Sequence, residues 1–396
     1  MSEVSNAAIN GVLNSKVALC RFITGNDTGK TGSHQTGFYI PKCASALLFD
    51  TPGVKGENKE KTVRISWQDD FTTESCMKYY GQGSRNEYRI TRFGKGFPFL
   101  HDEHVGDLIV IAKQDEENYK AYILSSDDDI ESFMSFFGLS PEETNQLIDL
   151  GVTQLPDDRI TALINEFISK HESFPTTDIM SNCAQECYNK AYGDTAVLRQ
   201  PDKVLTGWVA TEYKLFKSLE NKLYSDKLTK PFTSVEEFLQ TANAILNRRK
   251  SRAGKSLEHH LASVFSAHKL TYEAQAVTEY NKRPDFLFPN SECYHNFEFP
   301  AEDLTVLGVK TTCKDRWRQV LSEANRVEDK FLFTLQQGVS KNQLKEMSNA
   351  RLTLVVPNVY KTYFPDEFRS SILDLESFIG IVKQRQERAA KHYTIN

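Results

Sequence analysis

The sequence NKRPDFLFP at residues 281–289 opens the stretch that decides the fold of the C-terminal part of the chain. Here Asp285 comes directly before a short apolar run. A second apolar run, LTVLGV at 304–309, ends at Lys310. Short runs of this kind are typical of buried strands. The pattern therefore predicts two neighbouring strands that place Asp285 and Lys310 at the same edge of a sheet.

The segment TTCKDRWRQVLSEANRVED at 311–329 follows and predicts a helix. A carboxylate and a lysine beside DNA are typical of metal-dependent nucleases, in which the carboxylate binds a divalent cation and the lysine helps to activate water. The usual nuclease pattern, Pro-Asp followed by Asp/Glu-x-Lys, is not met, because Gly308 stands two residues before Lys310. We therefore expect the second carboxylate to come from Glu323 on the predicted helix.

Composition limits the classes of protein to consider. The 396 residues are enough for two ordinary domains, and the net charge of −5 means that DNA binding must depend on local basic clusters. Seven cysteines without a CxxC pair argue against a disulfide framework and favour a reducing compartment. No signal peptide opens the sequence and no apolar run is long enough for a membrane span, so we expect a cytoplasmic protein without a membrane partner.

The N-terminal part predicts a small mixed β-barrel made of short strands and turns. Ser140 begins a predicted helix that runs to about residue 151. We predict an N-terminal domain at 1–152, a linker at 153–158 and a second domain at 159–396. The strands expected in the first domain are 17–23, 37–40, 62–67, 107–112 and 119–124, and a helix is expected at about 128–137.

Two segments of the first domain are candidates for DNA contact. TGNDTGKTGSH at 24–34 is not a P-loop, because only three residues separate Gly25 from Gly29. It is either a plain connecting loop or a loop that also contacts phosphate through Lys30. In RNEYRITRF at 85–93 an extended chain places Glu87 and Arg89 on one face. That face either reads bases in a major groove or is a solvated, salt-bridged strand.

The second domain begins with long helical patterns at 160–171, 178–191, 206–223 and 235–247. NRRKSRAGKS at 247–256 predicts a basic loop, which either contacts phosphate through residues such as Arg252 and Lys255 or is simply solvated. A helix at 256–268 then carries Glu258 in its first turn, from where it could point along the sheet toward Asp285. We expect the histidines 259, 260 and 268 at its surface or boundary. A strand at 271–278 completes the order helix, three strands, helix, which predicts a mixed α/β core.

Several long segments make the chain resemble restriction endonucleases of the EcoRII family, type IIE. They are NDTGKTGSHQTGFYIP at 26–41, RNEYRITRFGKG at 85–96, NRRKSRAGKSLE at 247–258, KRPDFLFP at 282–289 and VKTTCKDRWRQ at 309–319.

The resemblance implies a homodimeric, Mg²⁺-dependent enzyme that cuts double-stranded DNA at CCWGG, with W being A or T. It implies a PD-(D/E)xK fold for the C-terminal domain, in which the second acid has moved to the helix. Asp285 and Glu323 would bind the metal, Lys310 would be catalytic and Glu258 would support the metal site. Bases of the central W pair would be flipped out, and the C·G pairs would be read by Lys314, Asp315 and Arg316.

For the N-terminal domain the resemblance implies a β pseudo-barrel like that of plant transcription factors. It would bind a second copy of the DNA site as an effector, and it would block the catalytic cleft until that copy binds. Tyr88 and Gly83 stand where the family has basic residues, and these departures bear on the strength of effector binding. The matching contact residues are His34, Tyr39, Arg85, Glu87 and Arg89.

Two alternatives differ in function from a regulated, sequence-specific nuclease. One is a DNA-binding regulator with a catalytically dead nuclease fold, which an alanine at position 285, 310 or 323 would have favoured. The other is a nuclease for damaged or modified DNA that shares only the core, which the reader cluster at 314–316 disfavours.

Overall fold

The structure is a computed structural model that describes residues 2–28, 37–148, 158–193 and 196–393. It divides into two compact units. The first contains Met1–Thr153 with two later segments, Gln336–Glu346 and Thr362–Arg369. The second contains Gln154–Leu335, Met347–Lys361 and Ser370–Asn396. Each unit is described by itself.

In the described residues of the first unit, eight strands form one sheet in the order β2-β5-β4-β3-β7-β6-β1-β8. All neighbouring strands are antiparallel except β3 and β7, which are parallel. The elements are α1 Glu3–Leu13, β1 Val17–Phe22, β2 Phe38–Ile40, β3 Lys59–Ser66, β4 Thr72–Tyr80, β5 Glu87–Thr91, β6 Leu108–Lys113, β7 Asn118–Leu124, α2 Asp127–Phe137 and β8 Gln146–Leu147, with 3-10 helices at Lys42–Leu47, Asp102–His104 and Pro141–Glu143.

Two apolar clusters hold this sheet. One contains aromatic side chains such as Trp67, Phe93 and Phe97, with Phe93 and Phe97 stacked at 4.5 Å between ring centroids. The other joins α1 and α2 to β1 and β6 through residues such as Val12 and Phe133. The side chains of the first cluster, on one face of the sheet, therefore pack against one another, as expected inside a barrel. The two helices cover part of the other face.

One predicted helix of this unit is wrong. Ser140 does form the predicted cap, and its hydroxyl and the Glu143 carboxylate make a reciprocal capping box. The helix ends after one 3-10 turn, because Asn145 adopts a left-handed backbone (φ 72°) and the chain pairs with β1 as β8. The remainder of that prediction and most of the proposed linker lie outside the described residues.

The second unit carries a five-stranded mixed sheet in the order β13-β12-β11-β10-β9 among its described residues. The remaining elements of the chain are α3 Asp158–Ser169, α4 Thr177–Tyr192, α5 Ala196–Arg199, α6 Pro201–Leu228, α7 Val235–Ala267, β9 Glu273–Ala274, β10 Phe286–Phe288, α8 Ser291–His295, β11 Thr305–Lys310, α9 Trp317–Leu321, β12 Lys330–Thr334, α10 Lys341–Asn349, β13 Leu352–Val355, α11 Asp366–Arg369 and α12 Leu375–Ala389, with 3-10 helices at Glu279–Asn281, Ala301–Asp303 and Asn358–Tyr363.

The strand order around the site is as predicted. β10 pairs antiparallel with both β9 and β11, while β11, β12 and β13 are parallel. Because β10 and β11 are antiparallel, the start of β10 lies beside the end of β11. That edge of the sheet is where Asp285 and Lys310 meet.

The basic loop predicted at 247–256 does not exist, because α7 runs unbroken from Val235 to Ala267. Lys and Arg are good helix formers, and the single Gly254 costs only about 1 kcal/mol in a helix interior. The long helix has a consequence for the function, since it places Arg252 and His260 on the side that packs against α4 and α6. No helix among the described residues is long and apolar enough to cross a membrane.

A buried polar cluster joins α4, α6 and α7 around Glu212, which is fully buried. One oxygen of its carboxylate lies 2.9 Å from His260 Nε2 and accepts hydrogen bonds from Ser181 and Ser256, both at 2.8 Å. The other oxygen accepts from Arg252 Nη1 at 3.2 Å. Burial would raise the pKa of Glu212, but His260 and Arg252 outweigh it and lower the pKa to about 2. His260 is therefore a buried structural residue, which corrects its predicted surface position.

We expect Glu212→Ala to destabilise the protein by about 3–5 kcal/mol, because Arg252 would be left as a buried charge without its partner. Because folding lowers the pKa of Glu212, its contribution is complete above the unfolded-state pKa and is lost as the pH falls through about 2. Urea denaturation at pH 7 measures the effect. The control is Glu166→Gln, which removes an exposed i,i+4 pair with Lys170 on α3 and should leave the midpoint unchanged. Equal midpoints for both variants would contradict a stabilising role for the cluster.

Candidate active site

The edge shared by β10 and β11 brings Asp285 and Lys310 together. Lys310 Nζ lies 3.2 Å from Oδ2 of Asp285. The same oxygen accepts a hydrogen bond of 2.6 Å from the backbone N–H of Val309. Asp285 is mostly buried. Its carboxylate is held by the backbone N–H of Val309 and by the side chain of Lys310, both on the neighbouring strand. The structure therefore confirms the prediction that these two side chains lie next to each other.

The structure explains why glycine stands where the common nuclease pattern has an acid. A Cβ atom built on Gly308 would lie 2.5 Å from a methyl carbon of Val320. Val320 belongs to α9, which packs directly on this point of β11. An acidic side chain at 308 would have to displace the helix, so the second carboxylate must come from elsewhere.

Glu323 is the predicted source of the second carboxylate, although it does not lie on a helix as predicted. The helix α9 ends at Leu321, and the chain turns at Ala324, whose backbone is left-handed (φ 49°). Burial and the charge of Asp285 raise the pKa of Glu323 to about 7, against the opposing effect of Lys310. Its Oε2 atom is buried without a hydrogen-bond partner. A buried carboxylate oxygen without a partner is a natural ligand for a cation.

Glu258 and Gln275 complete the cluster. Burial, and after it the charge of Asp285, raise the pKa of the Glu258 carboxyl above its ordinary value. The Gln275 amide nitrogen lies 3.0 Å from Asp285 Oδ1 and 3.5 Å from Glu258 Oε2. Gln275 was not among the predicted site residues. Its residue type and its place in an apparent strand give no signal that it faces the carboxylates.

The residues present fit a hydrated divalent cation. Within the described ranges, no group of three or more His, Cys, Asp or Glu side chains is placed so that it could hold a metal ion by itself. Mg²⁺ does not need one, because it is usually held by one or two carboxylates together with water and substrate phosphates. Asp285 and Glu323 would supply those carboxylates, and the unpartnered Glu323 oxygen supports this choice.

The raised pKa of Glu323 predicts that metal binding depends on pH. Below pH 7 most of this carboxyl is protonated, and a cation must displace the proton. The Mg²⁺ concentration for half-maximal cleavage should therefore fall by about tenfold per pH unit up to about 7 and level off above it. Cleavage rates measured over a Mg²⁺ series from pH 6 to pH 9 check this. A constant half-saturating concentration over that range would contradict it.

The predicted DNA-reading residues lie next to this cluster in the chain. Lys314, Asp315 and Arg316 form the turn between β11 and α9, with Asp315 exposed and the two basic residues half-buried. The turn is anchored by the buried ring of Trp317. The structure thus connects the candidate readers to Lys310 through a short, well-packed segment.

The two residues of α7 that were predicted to contact phosphate differ in exposure. Lys255 is exposed one turn before Glu258, so it can reach a phosphate near the site. Arg252 is 7% exposed, bound to Glu212 and placed 4.0 Å from the centre of the Tyr213 ring. The expectation that Arg252 contacts DNA is corrected, because the interior of a helix bundle holds its charge.

The candidate effector residues of the first unit occupy neighbouring strands. Tyr39 on β2 lies opposite Arg89 on β5, and Arg85 is exposed with its guanidinium 5.5 Å from the ring of Tyr80. Arg89 is buried, with contacts to Glu87 at 3.4 Å and to the Gly37 carbonyl at 3.2 Å. Its expected role as a direct DNA contact is thus replaced in the structure by one in holding β2 and β5 together.

His34 and Lys30 lie outside the described residues, but Asp27, shortly before them in the chain, is held firmly. Asp27 is fully buried, pairs with Arg21 at 2.9 Å and accepts the N–H of Tyr39 at 2.8 Å.

Tyr88, which the resemblance places where the family has a basic residue, is also buried. It packs 4.7 Å from the Tyr79 ring and accepts the N–H of Gly53. The Tyr88 side chain therefore lies in the apolar core of the first unit. Gly83, the other such position, is exposed.

Comparisons with known proteins give relatives for both parts of the chain. The model described as "Restriction endonuclease EcoRII, N-terminal" matches residues 13–143, and "EcoRII C terminal" matches residues 216–379. The type II restriction enzyme EcoRII of Escherichia coli is 37% identical over 379 residues, covering 90% of this chain and 92% of the relative. The matches to both halves, with the mixed α/β sheet, confirm the predicted fold class.

Two solved structures are similar to part of the chain. Metal-depleted Ecl18kI with uncleaved, modified DNA has a TM-score of 0.46 at 18% identity, over 61% of this chain and 88% of that one. A complex of the restriction endonuclease PspGI with substrate DNA has a TM-score of 0.46 at 15% identity, over 56% of this chain and 97% of that one.

Proposed function

The chain belongs to the EcoRII family of type II restriction endonucleases, and we propose that it cuts both strands of DNA at CCWGG in an Mg²⁺-dependent reaction activated by a second copy of the site. The site-specific deoxyribonuclease activity follows from the family. The target, the metal and the activation are proposals. The observation that carries the metal proposal is the arrangement of Asp285, Lys310 and Glu323 with its unpartnered, buried carboxylate oxygen. The proposed target and activation rest on membership of the family.

In the proposed reaction Asp285 and Glu323 would hold Mg²⁺, and Glu258 would support them. When bound there, the cation would supply charge that neutralises the scissile phosphate and would make water more acidic. Lys310 is held beside Asp285, where its ammonium group orients the attacking water and stabilises the charge that develops on the phosphate. The Val309 N–H keeps the Asp285 carboxylate in one orientation during this step.

Sequence recognition is assigned to Lys314, Asp315 and Arg316. Lys and Arg donate to the acceptors of guanine in the major groove, whereas Asp accepts from the amino group of cytosine. A turn with both signs of charge therefore suits C·G pairs. Lys255 would contact the backbone and give orientation without specificity. The central W pair would be treated alike in either order if its bases are flipped out.

A homodimer is proposed because two phosphodiester bonds must be broken for one double-strand cut. The described residues of one chain contain a single cluster of this kind. CCWGG reads the same on both strands except at its centre, and a two-fold symmetric dimer would present one cluster to each strand. The first unit would bind the second DNA copy through Tyr39, Arg85 and Glu87, with Arg89 positioning them. His34, which lies outside the described residues, is a further candidate contact.

Matched duplexes test the target and the metal. DNA with several CCWGG sites should be cut in Mg²⁺ and left intact in EDTA. The same DNA with G or C at the centre of each site should be cut at least about tenfold more slowly. The reason is that one base pair that departs from a recognition sequence typically costs about 1–3 kcal/mol of binding free energy. Equal cutting of both duplexes would contradict the proposed target, and cutting in EDTA would contradict the role of the metal.

A further inference from the structure

We propose that Gln275 is a positioning residue of the metal site, whose side-chain amide holds the carboxylates of Asp285 and Glu258 side by side before a cation arrives. The inference rests on the proposed metal-dependent function and adds a residue to it. It gives this exposed glutamine a role that its place at the end of β9 does not suggest.

The contacts of the amide carry the inference. Gln275 Nε2 lies 3.0 Å from Asp285 Oδ1 and 3.5 Å from Glu258 Oε2, so its two hydrogens can serve both carboxylates at once. Ionised carboxylates only accept hydrogen bonds, and this requires the amino side of the amide to face them. The group that joins the two acids is thus a neutral double donor.

Gln275 also completes the fixation of Asp285. The Oδ2 atom of Asp285 is held by the Val309 N–H and by Lys310, while Gln275 is bound to Oδ1. With both oxygens held, the carboxylate plane cannot rotate freely. Two acids of like charge repel each other, and the shared amide offsets that repulsion. Without it, the carboxylates would separate and a cation would have to bring them together again.

The backbone at Gln275 is shaped for this contact. Its φ is +54°, a left-handed conformation that is uncommon for a residue with a side chain. The Gln275 N–H donates to the Asp285 carbonyl oxygen at 3.2 Å, which fixes the residue opposite Asp285. A left-handed residue costs free energy, and such costs are concentrated at functional sites. Here the conformation turns the side chain towards the two acids.

Two substitutions of Gln275 distinguish the effect of its side-chain amide from the effect of its backbone conformation. Gln275→Gly removes the amide and suits the positive φ, so the fold should be as stable as wild type or more stable. Gln275→Asn also tolerates this conformation but is one methylene too short to reach both acids. We expect both variants to bind Mn²⁺ about 10–100-fold more weakly, as is typical when a partner of a metal ligand is removed. Calorimetric Mn²⁺ titration of the enzyme without DNA, where no cleavage can occur, measures this directly.

Cleavage gives a second readout. The Mg²⁺ concentration for half-maximal cleavage should rise by the same factor, and saturating Mg²⁺ should restore most of the rate. The matched control is Lys269→Gly, which relieves another exposed left-handed residue (φ 59°) away from the carboxylates and should bind Mn²⁺ like wild type.

The outcomes distinguish this inference from the proposed function. Wild-type Mn²⁺ affinity in Gln275→Gly, with affinity lost in Asp285→Ala, would overturn the role of Gln275 alone. Equal weakening in Gln275→Gly and Lys269→Gly would assign the effect to the backbone and also overturn it. Wild-type Mn²⁺ affinity in Asp285→Ala would overturn the metal site itself.

Discussion

Asp285→Ala is expected to lower the rate of DNA cleavage by at least about 10⁴-fold, which corresponds to about 5 kcal/mol of transition-state stabilisation. The reason is that Asp285 lies at the centre of the cluster. It is the proposed metal ligand, and it contacts Lys310, Gln275 and the Val309 N–H. Removing it takes away the ligand and releases the lysine at once. Single-turnover cleavage at saturating Mg²⁺ measures the loss.

Lys310→Met tests the other half of the pair, and the chain provides a closely matched control. Lys361 lies 3.3 Å from Asp374, compared with 3.2 Å for Lys310 and Asp285, and the two lysines have similar exposure, 24% and 21%. We expect Lys361→Met to cut DNA like wild type, whereas Lys310→Met should be nearly inactive. Similar activity in the two variants would mean that Lys310 is only a structural ion pair.

Binding separates catalysis from folding in these variants. Specific DNA affinity measured in Ca²⁺ or without metal should stay within about threefold of wild type for Lys310→Met, because DNA contacts are assigned to other residues. Near-normal cutting by Asp285→Ala would contradict the assignment of the active site.

Removal of residues 1–152 is expected to raise cleavage of DNA that carries one CCWGG site by about 5–150-fold, the usual range of allosteric coupling. The first unit is proposed to keep the nuclease inactive until it binds a second DNA copy, so its removal should abolish that requirement. The measurement compares initial rates on single-site and multi-site DNA. A truncated enzyme that still fails to cut single-site DNA would contradict autoinhibition.

The truncation removes contacts that need their own control. Within the first unit, Gln336 donates to the Gly106 carbonyl at 2.6 Å and Gln337 donates to the Pro141 carbonyl at 2.8 Å. Both carbonyls would be lost, so a lower melting temperature is expected alongside the gain in single-site cutting. Arg85→Ala in the full-length chain is the complementary variant. It should keep the melting temperature but reduce activation by a second site.

The central edge of the sheet could be predicted because short-range patterns decide it. One apolar run begins directly after Asp285 and another ends at Lys310, and both require strands. Antiparallel pairing brings the start of the first strand beside the end of the second. Lys310 and Asp285 therefore meet in the structure as the sequence predicts. Gly308 in the sequence also indicated that the second carboxylate lies elsewhere, and the structure gives the reason, because an acidic side chain at 308 would collide with Val320.

Other parts of the site depend on tertiary packing that no local pattern reveals. Glu323 lies after a five-residue helix, because the chain turns at Ala324 to enter β12. Gln275 faces the carboxylates through a positive φ, which is unexpected for glutamine. A basic segment with one glycine is typical of a loop, yet α7 passes through it and buries Arg252 against Glu212.

In the N-terminal part, strands of apolar character were predictable and β4 was not. Its sequence, TTESCMKYY, mixes polar and apolar residues, although the burial of Met77 and Tyr79 shows an alternating inner face. Arg89 and Tyr88 sit on a strand in which both faces are covered, and this hides charge and hydroxyl groups inside the protein. Such burial follows from the neighbouring strands and not from the segment itself.

The most direct test of the proposed function is cleavage, with Mg²⁺, of two DNAs that differ only in carrying one or several CCWGG sites, followed by sequencing of the ends. We expect cuts at CCWGG, and only in the DNA with several sites. Equal cutting of both DNAs would contradict activation by a second site. Cuts at other sequences would contradict the assignment of residues 314–316 as readers of CCWGG, and an absence of cuts in either DNA would contradict the active site at Asp285, Lys310 and Glu323.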